Sequence, residues 1–193
     1  MMGFEVHFQP IVQAGTDQWV GAESLCRWTT PEGECIKPVE FIHLTEQLGL
    51  IETLDNWVRE SAMALCVEWG MSKKEFFLDV NFSPVQTIND SFIENLIGII
   101  NRTGYPEVKL NLEITESTKM EFSDSNIEGL NKLKEKGIKL SLDDFGTGYS
   151  SFENLIRISP NILKAEKMLI ENIERDRHRQ YLFKVLVNIA HYF

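Results

Sequence analysis

From Phe76 onward the sequence alternates without interruption between short apolar runs and longer amphipathic ones. Phe76 to Ser83 reads as a strand closed by Pro84. Asp90 to Arg102 follows with Phe92, Leu96, Ile99 and Ile100 at helical spacing, ended by Gly104. Val108 to Thr115 carries Leu110, Leu112 and Ile114 at period two, and Asp124 to Lys136 carries Ile127, Leu130 and Leu133 at helical spacing. A strand from Ile138, a helix with Phe152, Leu155 and Ile156, a strand over 162–165 and a helix with Leu182, Val185, Leu186 and Ile189 complete the series. Consecutive strands separated by helices pair in parallel, with the helices covering the sheet.

The N-terminal part begins differently. Phe4 to Val12 and Val20 to Trp28 alternate as strands, and Gly15 and Asp17 between them predict a hairpin. Pro38 opens a helix with Phe41, Ile42 and Leu48 inward, and a longer helix runs from Glu52 to Trp69, stopped by Gly70. About six strands result, where a closed barrel of this type takes eight and about 250 residues. The chain therefore reads as one domain, cut short after its sixth strand and the helix that follows.

The densest stretch is Ile138 to Ser151. Leu140 and Leu142 flank Ser141 in a buried-strand pattern, and Asp143 and Asp144 place two carboxylates where that strand ends. Gly146 and Gly148 keep the next turn free of side chains, and Ser150 or Ser151 offers an N-cap. Neighbouring strand residues point to opposite faces, so both Asp can serve one centre only where the strand ends and twists. That is where barrels and doubly wound sheets keep their chemistry.

Such groups recur along the chain. Glu23 lies on the second strand, Asn81 on the third, Glu113 and Glu116 on or just after the fourth, Asp143 and Asp144 on the fifth, and Lys164 on the sixth. Singly, each has a plain reading: Glu23 a surface residue, Asn81 a turn former, Glu113 one member of a solvated face, Lys164 a lysine reaching water. Their recurrence at one end of successive strands favours a shared site. Carboxylates and an amide oxygen are hard ligands suited to Mg²⁺ or Mn²⁺. The four histidines, His7, His43, His178 and His191, have no zinc spacing.

The formal charge of −10 argues against wrapping a nucleic acid polymer or adhering to anionic lipid. An anionic substrate would need metal ions or a few local Arg and Lys. The three cysteines, Cys26, Cys35 and Cys66, form no CxxC pair, and a reduced cytoplasmic setting is the expectation, although a longer parent protein could be membrane-anchored. No apolar run approaches the roughly 20 residues of a membrane span.

At these residues the sequence resembles the EAL-domain family of cyclic di-GMP phosphodiesterases. Phe8-Gln9-Pro10-Ile11 looks like the opening strand, and Glu23-Ser24-Leu25 stands where the signature Glu-Ala-Leu falls, followed by Arg27-Trp28. Asp79 to Ser83, Glu113 to Ser117 and Asp143 to Ser151 match the family's later motifs in order. The resemblance implies an EAL domain over 1–193, an α/β TIM-type (β/α)₈ barrel with one antiparallel strand, incomplete at its C-terminus. It implies hydrolysis of cyclic di-GMP to linear 5′-pGpG with two Mg²⁺ or Mn²⁺ ions.

Carried over by position, Glu23, Asn81, Glu113 and Asp143 look like ligands of one ion, and Asp143 and Asp144 like ligands of the second. Lys164 looks like the residue that positions the attacking water. Glu116 looks like the anchor of the Asp-Asp-Phe-Gly-Thr-Gly loop. Gln9, Leu25 and Arg27 look like substrate contacts, with Arg27 on a phosphate. Ser24 replaces the signature Ala, and Lys164-Ala165-Glu166 stands where the family has Lys-Ile-Asp. The family continues with a further Glu-bearing strand, so an open edge and a swapped or edge-paired homodimer are expected. The alternative function is an EAL module that binds cyclic di-GMP or a protein partner without cutting it. An unrelated metal-dependent barrel enzyme fits the motif set less well.

Overall fold

A computed structural model describes residues 3–115, 123–146 and 152–192. Strands β1 (Phe4–Val12) and β2 (Trp19–Thr29) form the expected antiparallel hairpin, with Gln9 opposite Glu23. A two-residue strand, β3 (Cys35–Ile36), folds back on the far end of β2. Helices α1 (Pro38–Gln47) and α2 (Ile51–Glu68) follow. Then come β4 (Phe77–Phe82), α3 (Asp90–Thr103), β5 (Leu110–Thr115), α4 (Asp124–Glu135), β6 (Lys139–Phe145), α5 (Phe152–Ile158) and β7 (Ile162–Ala165). The short α6 (Lys167–Ile170) and the longer α7 (Arg177–Tyr192) close the described chain.

Hydrogen-bonded neighbours run β1-β2-β4-β5-β6-β7, and every pair from β2–β4 onward is parallel. This is a barrel-type α/β sheet that stays open, with one antiparallel strand. The expected set of six longer strands is present. β3 and α6 are too short to leave a periodic signal in sequence. The fourth long strand begins at Leu110 rather than Val108, because one 3₁₀ turn at Glu107–Lys109 precedes it. Pro38 does occupy the first helical position of α1, and Asn89 caps α3 by accepting a hydrogen bond from the Phe92 amide.

The two faces of the strands explain the site. Leu78, Val80 and Phe82 of β4, Leu110, Leu112 and Ile114 of β5, and Leu140 and Leu142 of β6 are buried in the main apolar cluster, together with Leu96, Ile99 and Leu133 of the covering helices. The alternate residues point to the other side, yet Asp79, Asn111, Glu113 and Ser141 are also at most 1% exposed. The sheet therefore curves around a polar lumen. Glu113 belongs to no solvated face: the side opposite Leu112 and Ile114 is inside the curve. No helix among the described residues is long and apolar enough to cross a membrane.

Candidate functional site

The parallel register sets the polar residues in steps. Glu23 of β2 pairs with Asp79 of β4, which pairs with Asn111 of β5. Two residues further along, Asn81 pairs with Glu113, and Glu113 with Ser141. One step beyond, Thr115 pairs with Asp143. Because alternate residues share a face, each strand contributes to the lumen at two-residue intervals.

Lys164 of β7 reaches the centre of this arrangement. Its Nζ donates to Glu113 Oε2, lies 2.9 Å from Asp79 Oδ2 and lies 3.3 Å from Glu23 Oε2. Asn81 Nδ2 donates to Glu23 Oε1 at 3.3 Å, and Asn111 Nδ2 to Asp79 Oδ1 at 2.7 Å. One ammonium thus balances a group of carboxylates that would otherwise repel each other in a low-dielectric interior. Burial would lower the Lys164 pKa, but the Glu113 and Asp79 charges outweigh it and hold the ammonium above its ordinary value. Burial pushes the Glu113 carboxyl up to about 8, against the pull of Lys164 and with repulsion from Glu23 and Asp143 adding to it. Glu113 Oε1 is buried and has no hydrogen-bond partner.

Asp143 and Asp144 break the strand alternation in the way two adjacent carboxylates require. The β6–β7 register slips between Leu142 and Phe145. Asp144 adopts φ +55°, the left-handed region, and Gly146 follows at φ +106°. Both aspartates are half-buried. Burial first, then the charges of Asp143, Glu166 and Glu23, raise the Asp144 pKa.

The remaining expected contacts lie on the same side. Glu23, Leu25, Arg27 and Asn81 line a cavity of about 340 Å³ that also reaches Asp55 and Arg59 of α2. Gln9 is exposed and faces Glu23 across the hairpin. Glu116 lies outside the described residues. Sequence reading placed Glu23 near the end of its strand; in fact β2 runs on to Thr29 against β1, and Glu23 marks the last rung shared with β4. It overlooked Asp79 and Arg59 as site residues. Both are almost wholly buried, and each touches a residue of the set.

The donor set suits a hard divalent cation in kind: carboxylates, an amide and a buried carboxylate oxygen with no partner. Among the described residues, no three His, Cys, Asp or Glu side chains are grouped to cage an ion as they stand. The carboxylates instead converge on the Lys164 ammonium.

Residues 2–193 match the EAL domain family. A signalling protein of Caulobacter vibrioides is 36% identical over 185 residues, covering 96% of this chain and 22% of the relative. The bifunctional diguanylate cyclase/cyclic di-GMP phosphodiesterase MucR of Pseudomonas aeruginosa is 33% identical over 188 residues, covering 96% of this chain and 27% of MucR. The solved PaMucR phosphodiesterase in complex with c-di-GMP superposes with a TM-score of 0.87 at 30% identity, over 98% of this chain and 77% of that one. The chain therefore spans about a quarter of the length of the curated relatives it matches.

Proposed function

Because this chain belongs to the EAL-domain family, we propose that it hydrolyses cyclic di-GMP to linear 5′-pGpG with the aid of divalent cations. The observation that carries this reading is the convergence of Glu23, Asp79 and Glu113 on one ammonium, with Asn81 held against Glu23. Strands distant in sequence deliver these groups to one place, at a cost in buried charge that a core built only for stability avoids. The described activity of MucR, and the dinucleotide bound to the PaMucR domain, support the choice of substrate.

In this reading Glu23, Asn81, Glu113 and Asp143 would hold one Mg²⁺ or Mn²⁺, and Asp143 and Asp144 the second. Turning the Asn81 amide over presents Oδ1 where Nδ2 now faces Glu23, which suits a cation. When bound, two such ions provide a strong nucleophile at neutral pH and stabilise both oxygens of an in-line displacement. The protein's own groups do the rest. The Arg27 guanidinium offers a planar fork to a phosphate oxygen pair, and Gln9 and Leu25 fix the dinucleotide beside it. Lys164, whose ammonium now pairs with Glu23, Asp79 and Glu113, would donate to a water once cations take over those carboxylates.

The test is incubation with cyclic di-GMP and Mg²⁺ or Mn²⁺, followed by chromatography. One linear dinucleotide is expected. Binding without product would instead assign a cyclic di-GMP receptor, and the absence of both would reject the reading.

Asp144 gives a sharper check. Asparagine tolerates the left-handed backbone as aspartate does. Asp144→Asn should therefore keep its melting midpoint while turnover falls about a hundredfold, the scale of losing one designed electrostatic contact. Unchanged initial rates would remove Asp144 from the site.

A further inference from the structure

The ladder between β2 and β4 stops at Glu23–Asp79, while the ladder between β4 and β5 continues to Phe82–Ile114. Past that last shared rung, β2 and β4 pair no further. Asn81 lies two residues beyond it. Its side-chain amide still reaches β2 at Glu23 Oε1 (3.3 Å) and at the Ser24 carbonyl (3.5 Å), and its own main-chain carbonyl lies beyond the β2–β4 ladder. A side chain from the helix layer meets it. Arg59 of α2 donates from Nη2 to the Asn81 carbonyl at 3.1 Å and to Asp55 Oδ2 at 3.2 Å, and from Nη1 to Asn56 Oδ1 at 3.1 Å.

The guanidinium is 1% exposed and lies 5.2 Å from the centroid of the Phe92 ring. Asp55 is fixed in turn by Gln86, whose Nε2 donates to Oδ2 at 2.6 Å. Arg59, Asp55, Glu23 and Asn81 all line the same 340 Å³ cavity.

A buried arginine of this kind is expensive to desolvate, and general packing does not call for one. Its neighbours along the helix stripe, Ala62, Met63 and Cys66, are small or apolar and wholly buried. The fork geometry suits the place: one planar group serves three acceptors in fixed directions, which an ammonium cannot do. We propose that Arg59 is a positioning residue. It takes the Asn81 carbonyl where the β2–β4 ladder has ended, and so sets the Asn81 amide against Glu23 for cation binding. This rests on the function proposed above, and it extends the site from the lumen into the helix layer.

A double-variant cycle tests it. Asp55→Asn accompanies Arg59→Met, so that no carboxylate is left buried alone. Free Mn²⁺ is counted by its paramagnetic resonance during titration of the whole chain. The D55N/R59M change is expected to weaken Mn²⁺ binding about tenfold with Asn81 present, and less than twofold when N81A is already in place, because coupled residues do not add. Equal losses in both backgrounds would mean a general structural effect and overturn the proposal. Arg59→Lys, which keeps the charge, is expected to restore less than half of the lost affinity; full restoration would overturn the role of the fork. If the unmodified protein takes up no Mn²⁺, the cation reading fails by itself. The positioning role is then read in the ion-free protein from the Asn81 side-chain amide resonances. These are expected to shift in D55N/R59M while the β5 backbone amides hold, and unmoved Asn81 resonances would overturn it.

Discussion

Replacing Glu23 with alanine is expected to lower the turnover of cyclic di-GMP about a thousandfold, since a lost metal-site charge is worth several kcal/mol and each 1.4 kcal/mol or so is a factor of ten. The reason lies in what the carboxylate touches. It reaches Lys164 at 3.3 Å and Asn81 at 3.3 Å, joining β7 to β4 across the lumen. Alanine preserves the backbone, because position 23 points into the polar space and not into the apolar cluster under α2. Its rung with Asp79 and its pairing with Gln9 are made by main-chain groups. Dinucleotide binding should therefore weaken much less than turnover, with Arg27 and Leu25 still in place. Rates by chromatography and affinity by calorimetry separate the two effects. A variant that turns over within tenfold of the parent would dismiss Glu23 as a ligand, and with it the grouping of Glu23, Asn81, Glu113 and Asp143.

The same residues show what could be read in advance. The Asp143-Asp144 pair was legible because apolar alternation leads straight into it and glycine follows. The structure supplies the reason both carboxylates are usable, a register slip and a left-handed residue. Asp79 is open to the period-two rule, since it lies two residues before Asn81 and shares its face, but Leu78 and Val80 on either side give the segment the look of an ordinary buried strand.

Glu113 is a harder case. In a period-two pattern, a polar lumen and a solvated face look alike, and only the curvature of the sheet separates them. That curvature is a tertiary property, set by contacts between strands far apart in sequence. Arg59 did leave a local trace, because it stands three, four and seven residues before Ala62, Met63 and Cys66 on the apolar stripe of its helix. A lone charge at such a position calls for a buried partner, and the partners, Asp55 and the Asn81 carbonyl, lie one turn and one strand away.

Lys164→Met should expose how far the lumen depends on one ammonium. Methionine keeps the length and removes the charge, leaving Asp79 and Glu113, 0% and 1% exposed, without their counter-ion. Breaking a buried pair from one side costs about 3–5 kcal/mol, so a loss of that order in unfolding free energy is expected at pH 8 in the absence of divalent cations. The pH dependence follows from Glu113. Its carboxyl is already held up to about 8, above the ordinary 4.5, with Lys164 pulling it down against burial. A raised carboxyl contributes stability that is complete below its unfolded value and lost as pH climbs through the folded one. Without Lys164 the folded value rises further, so at pH 5 Glu113 is protonated with or without the ammonium and its share of the deficit disappears, while the share that comes from the broken Lys164–Asp79 pair stays. A divalent cation can take the place of the ammonium, so millimolar Mg²⁺ should restore part of the loss at pH 8 by binding the folded state alone. Denaturant titrations at the two pH values, with and without Mg²⁺, read all of this. A deficit that is the same at pH 5 and pH 8 and indifferent to Mg²⁺ would show that Lys164 fills space and balances no charge.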